Sequence, residues 1–175
     1  MAAASVLMVA RTDEGYCLRV EGAGTMRESR AAEEFISRCV CDGGQPVAID
    51  LSACRYLDST FLGCLVALHR RFNRGALPAG VGVSVAAPSA TCRRAFETAR
   101  MDTLLAIHDE LPVVTGTWVR LPAPALEDTG KEELARHIIE CHRQLADLGG
   151  PSQAAFRRIA DAFERELQAR TAAPA

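Results

Sequence analysis

The sequence predicts an α/β layer structure, a mixed sheet of about five strands with helices, extended by a C-terminal α-helical hairpin. Three observations carry that prediction. Apolar runs of strand length alternate with segments whose apolar residues fall at i, i+3 and i+4. The first two runs are separated only by the polar turn Thr12-Asp13-Glu14-Gly15, which suits an antiparallel hairpin; later runs are separated by helices, which favours parallel neighbours and right-handed crossovers. Beyond Pro122-Ala123-Pro124 no strand pattern remains.

Taken in order, residues 6–10 are a short apolar strand and residues 16–21 alternate as a strand with one buried face. Gly22-Ala23-Gly24 breaks the chain, residues 29–40 carry a helical stripe (Ala32, Phe35, Ile36, Cys39, Val40), and Gly43-Gly44 stops it. A central strand runs from Val47-Ala48-Ile49 towards Tyr56-Leu57, followed by a helix marked by Leu62, Leu65, Val66, Leu68 and Phe72, with Asn73-Arg74-Gly75 as its end. Residues 81–87 form a further strand. Ser89 or Thr91 caps a helix over 93–99, helical spacing continues over 101–107, and residues 111–114 are a last short strand. Thr129-x-x-Glu132 matches a capping box, and Leu134, Ile138, Cys141, Leu145 and Leu148 follow at helical spacing. Gly149-Gly150-Pro151 then separates a second amphipathic helix with Phe156, Ile159, Phe163 and Leu167. This gives a domain at residues 4–118, a linker at 119–128 and a hairpin at 129–170. Such a hairpin cannot bury both faces alone, so it is expected to dock on the main domain or on another copy of itself.

Composition narrows the function. With 175 residues, 49% hydrophobic and 24% charged, the chain suits one ordinary soluble domain plus an appendage. A net charge of -2 gives no reason to expect nucleic acid or an anionic membrane as partner. The opening residues lack the basic and apolar regions of a signal peptide, and no run approaches the roughly 18 to 20 apolar residues of a membrane span. Seven cysteines, an odd number without C-x-x-C pairs, imply reduced thiols and a cytoplasmic location.

The most informative chemistry is the polar step Asp58-Ser59-Thr60 between the central strand and its helix. Short oxygen-bearing side chains there can accept from the unpaired N–H groups of a helix N-terminus. Capping alone accounts for the three residue types.

The first 115 or so residues resemble the STAS domain, the fold of bacterial anti-sigma-factor antagonists. The resemblance rests on the element order and on the motif Leu57-Asp58-Ser59-Thr60-Phe61-Leu62-Gly63 at a strand–helix junction. In that family the serine after the aspartate is phosphorylated by a partner kinase that is also the anti-sigma factor. The resemblance therefore implies Ser59 as phosphoacceptor, with Thr60 as the alternative. It implies an anti-sigma-factor-type serine/threonine kinase and a resetting phosphatase as partners, no cofactor, and no enzymatic activity. Phe61 stands where many antagonists carry glycine, and the loop at residues 22–27 lacks the aspartate often found there. Phosphorylation would add roughly −1.5 to −2 charges, which a helix N-terminus tolerates. The expected effect is on a partner surface of Asp58, Ser59, Thr60, Phe61 and Leu62, where a flat apolar contact through Phe61 and Leu62 would be spoiled by a dianion. Two other functions fit the same residues: an unphosphorylated scaffold that self-associates through the hairpin, and a small-ligand sensor with a pocket between hairpin and sheet.

Other chemistries fit less well. Ser59 as a hydrolytic nucleophile lacks a G-x-S-x-G elbow, and His69 lies ten residues along the same helix, roughly 15 Å away. Glu133, His137 and Cys141, with His142 adjacent, form a stripe that could hold zinc only with ligands from another element, so a packing or solvent face is the expectation. Cys39-x-Cys41 is expected to be thiol rather than ligand, and Gly22-x-Gly24 lacks the dinucleotide-binding context. Arg70, Arg71 and Arg74 suit a solvated helix C-terminus.

Overall fold

A computed structural model of the chain describes residues 5–74, 77–123 and 130–172. Strands β1 (Val6–Arg11) and β2 (Tyr16–Gly24) pair antiparallel as expected, with Leu7 opposite Val20 and Val9 opposite Leu18. Their turn is closed by Thr12, whose backbone N–H donates to Gly15 O at 3.0 Å and whose Oγ1 accepts from Gly15 N at 2.9 Å. The remaining strands are β3 (Val47–Asp50), β4 (Cys54–Leu57), β5 (Val83–Ala86), β6 (Ile107–His108) and β7 (Val119–Leu121). The sheet order is β6-β5-β3-β2-β1-β7, with β4 paired to the far end of β2; β3, β4, β5 and β6 join parallel and β7 antiparallel.

The mixed α/β class predicted from the sequence is the one observed, with seven strands rather than about five. The central strand is broken between β3 and β4 because Asp50 Oδ1 accepts from both the N–H and the hydroxyl of Ser52 at 2.9 and 2.7 Å, drawing the chain out of the ladder. Residues 101–106, expected to be helical, form turns before β6. The strand expected at 111–114 is reduced to a single bridge from Val114 to Thr12, since Pro112 has no N–H to donate. Residues 119–121, assigned to a linker by sequence, are strand β7; three residues are too few to display a period of two.

Helix α1 (Met26–Ser37) begins three residues before the expected start at residue 29, because Thr25 and Glu28 form a reciprocal capping box, and it runs into a π-helical turn at Arg38–Asp42. Helices α2 (Ser59–Asn73) and α3 (Ala90–Thr98) match the expected segments; Ser89, not Thr91, caps α3 by accepting from Cys92 N at 3.2 Å. Helices α4 (Lys131–Ala146) and α5 (Gln153–Ala172) form the hairpin, turned at Gly149 and Gly150 with φ of 74° and 85°. Gly130 occupies the N-cap of α4 without a side-chain bond; Thr129 of the expected capping box lies outside the described residues.

Leu7, Leu18, Val20, Val47, Ile49, Val83 and Val85 form the core with Ile36 of α1 and Phe61, Leu65, Leu68 and Phe72 of α2. The other face of the strands carries Arg19 and Asp50, joined at 2.6 Å, with Trp118 stacked 4.0 Å from the Arg19 guanidinium. The hairpin docks on α1 and α2, not on the sheet: α4 lies across both helices and α5 packs behind α4. No helix among the described residues is long and apolar enough to cross a membrane.

Candidate functional site

Asp58 ties two helix starts together. Its Oδ1 accepts from Phe61 N of α2 and its Oδ2 from Met26 N of α1, both at 2.8 Å, while its own N–H donates to Gly24 O at 2.9 Å. The positive ends of α1 and α2 therefore converge on one carboxylate. Ser59 is the first residue of α2, immediately beyond this double cap.

The hydroxyl of Ser59 meets a side chain that sequence reasoning did not pair with it: His142 of α4, with Nε2 2.9 Å from Oγ. His142 Nδ1 lies 2.8 Å from Ile138 O, and a carbonyl only accepts, so Nδ1 carries a proton. In the neutral ring Nε2 is then an acceptor, and the Ser59 hydroxyl donates to it. His142 is 3% exposed, with Phe156 of α5 packed against its ring at 6.2 Å between centroids. Helices α2 and α4 approach closely at Gly63, where a Cβ would run into the Cys141 carbonyl. Farther along, Arg70 Nη1 donates to Gln144 Oε1 at 2.6 Å. Arg70, expected at a solvated helix end, is thus turned onto α4.

One turn before His142, His137 is held in the opposite state. Ser29 donates its hydroxyl to Met26 O at 2.9 Å and so accepts from His137 Nε2 at 2.8 Å, while Glu33 Oε2 accepts from Nδ1 at 3.0 Å. Both ring nitrogens donate, the pattern of an imidazolium. Burial pushes the ring's pKa down, but bonds to Cys141 and Glu33 outweigh it and raise it to about 9. Glu33 is held below the usual carboxylate range, chiefly by its bond to His137. Cys141 is drawn down to about 7, first by its bond with Cys64 and then by His137; Cys64 is raised, first by the same bond and then by burial. Arg30 of α1 adds an ion pair to Glu133 at the start of α4.

Of the residues expected on a partner surface, Asp58 and Ser59 are half-buried and Thr60 is 5% exposed. The expected flat contact through Phe61 and Leu62 is not on the surface. Phe61 is 1% and Leu62 8% exposed, and the Phe61 ring fits against Gly24, where a Cβ would lie 2.9 Å from Phe61 Cδ2. Phe61 faces the sheet because it falls on the Leu65–Leu68–Phe72 stripe. The stripe of Glu133, His137, Cys141 and His142 is a packing face apart from exposed Glu133; among the described residues no group of three or more His, Cys, Asp or Glu could hold a metal ion. His69 bonds to Asn73 at 3.1 Å and takes no part. All seven cysteines are free, and six are buried. The histidine beside Ser59 is 83 residues away in sequence. Its signal was the side-by-side placement of His137, Cys141 and His142, which marks the α4 face without indicating what it covers.

A family model described as "Mlab, STAS domain" matches residues 7–106, more than half of the chain. The crystal structure of an anti-sigma factor antagonist from Mycobacterium paratuberculosis is similar at 27% identity and a TM-score of 0.50, covering 62% of this chain and 88% of that one. No curated protein matches. The α4–α5 hairpin lies outside the residues matched by the family model.

Proposed function

Because the chain belongs to the STAS family, we propose that it is a phosphorylation-gated protein-interaction switch of the anti-sigma-factor-antagonist kind, with Ser59 as its phosphoacceptor. Its partners in this reading are a serine/threonine kinase of the anti-sigma type and a phosphatase that resets it, in the bacterial cytoplasm. The observation that carries the reading is the position of Ser59. Its hydroxyl stands at the first residue of α2, beside the converging starts of α1 and α2, where added negative charge is favoured by about 0.3 to 1 kcal/mol per helix. Asp58 is occupied by capping and Thr60 is buried, which favours Ser59 over Thr60 as acceptor. The scaffold reading requires a free apolar face on the hairpin; the face of α4 with Ile138, Cys141 and Leu145 is already buried, which leaves it α5 with exposed Ile159.

Peptide mass spectrometry of the protein purified from its native cells tests the proposal. A phosphate on Ser59 under some growth or stress condition is expected, with Ser59→Ala and Ser59→Asp binding the partner differently. An unmodified Ser59 across all conditions removes the mechanism.

A further inference from the structure

We propose that the α4–α5 hairpin is a built-in lid over Ser59, latched by His142, and that α4 must leave α2 before Ser59 is modified or the α2 face is offered to a partner. The inference rests on the proposed role of Ser59 and adds the regulation of that site. Three observations on separate residues support it. The Ser59 hydroxyl, which a phosphoryl donor must reach, lies 2.9 Å from His142 Nε2, a ring buried under Phe156. At Gly63 the backbone of α4 rests directly on α2, so nothing fits between the two helices while α4 is seated. The seat is part apolar, with Cys141 and Leu145 of α4 buried in it, and part polar: Ser59–His142, Ser29–His137, Glu33–His137 and Arg70–Gln144 are contacts whose groups can be satisfied by water once separated. Those polar contacts have a water-bound alternative, which the wholly apolar contacts beneath α2 lack, and they are where a lid would give way first.

The lid covers α2 with a backbone carbonyl over Gly63 and a histidine ring at Ser59. A phosphate on Ser59 would stand where the His142 ring now lies, so modification and closure exclude each other in the present geometry.

The test is the reactivity of Ser59→Cys in the full chain towards N-ethylmaleimide, read at that position by peptide mass spectrometry. The introduced thiol is expected to label slowly. Adding Gly63→Leu, which drives α4 off α2, should accelerate its labelling by about tenfold or more; adding His142→Ala should give an intermediate rate. Buried Cys54 and Cys17 report on the domain itself and should stay slow throughout. If Gly63→Leu also exposes Cys54, the domain has unfolded and His142→Ala decides, since it puts no bulk into α2. Equal rates at the introduced thiol with and without these changes overturn the lid. Phosphate occupancy at Ser59 is then compared between the native sequence and the more accessible of Gly63→Leu and His142→Ala in native cells. A rise in the variant supports the gate, and equal non-zero occupancy despite faster labelling overturns it. No phosphate in either, with faster labelling, defeats the phosphorylation switch and leaves a lid without that role.

Discussion

The two long sides of α2 are built from different materials. Towards the sheet it presents Phe61, Leu65, Leu68 and Phe72, all at most 4% exposed. Towards α4 it presents Ser59, Gly63, Cys64 and Arg70, three of which meet α4 through polar side chains or thiol, with Val66 on the same stripe and Cys141 and Leu145 of α4 buried as well. Burial on the first side is non-directional and proportional to area, about 25 cal/mol per Å², with no water-bound state to compete. Hydrogen bonds on the second side each contribute a net of only about 0.5 to 1.5 kcal/mol, because water replaces the partner on separation. One helix thus carries a wholly apolar attachment on one side and a mixed apolar and polar one on the other, and Ser59 stands on the mixed side.

The sharpest way to break this contrast is on the sheet side. Phe61→Ala should cost about 3–5 kcal/mol in a urea melt, from lost burial and the cavity left against Gly24. A loss below about 1 kcal/mol would mean that α2 is not anchored through the sheet.

The next largest effect, about 2 kcal/mol, concerns the charged clamp between α1 and α4. Glu33 is over one third exposed, so the figure sits at the lower end for a charged bond. The Glu33 pKa is depressed in the folded chain, so its contribution is present in full above its ordinary 4.5 and is lost as pH falls through the folded value. Stability should therefore decline below about pH 4.5, and Glu33→Gln should flatten that acid limb while lowering stability at about pH 6. The alkaline side behaves otherwise. Between about 7 and 9 the folded chain keeps the His137 proton and lacks the Cys141 proton, whereas ordinary values of 6.5 and 9.0 give the reverse unfolded. The two offset, so this pair adds no slope there. Replacing Cys141 by serine removes the offset and also the first of the bonds that raise His137, so stability should fall as pH rises through a His137 value lower than in the native chain.

How far the sequence revealed these two sides follows from the same physics. The sheet side of α2 was legible, since Leu65, Leu68 and Phe72 repeat at helical spacing and follow an apolar strand. So was the Asp58 cap, a local bond spanning three residues. The partner face was misread at Phe61 and Leu62, because the motif places them beside Ser59 in sequence while the helix turns them inward. The second bond of Asp58, to Met26 N, and the bond of Ser59 to His142 join residues 32 and 83 positions apart. No periodicity encodes such pairs. Gly63 belonged to the recognised motif, but its use as the crossing point of two helices depends on where the extension lands.

A smaller effect sharpens the junction where the two sides meet. Asp58→Ala removes one cap from α2 and one from α1, and should cost about 1–2 kcal/mol. The loss is limited because Thr25 and Glu28 continue to cap α1. Asp58→Asn, which keeps an acceptor oxygen, should recover about half in the same melt. If both variants lose equally, the carboxylate's charge at the two helix starts outweighs its geometry.

The smallest effect expected lies within the lid. Arg143 of α4 reaches Glu164 and Asp161 of α5 at 2.5 and 3.9 Å, and all three side chains are more than 40% exposed. Exposed pairs of this kind contribute about 0 to 1 kcal/mol and fade with salt. Arg143→Ala should therefore shift the urea midpoint by the equivalent of about 0.5 kcal/mol or less, and adding salt should erase the difference. The hairpin would then owe its coherence to buried Leu145, Ala146 and Ala160, and α4 and α5 would leave α2 as one body. A loss above about 1 kcal/mol that persists in salt would instead mean that α5 is held by its charges. The lid would then open in two steps, α5 first, and His142 would lose the cover of Phe156 before α4 moved.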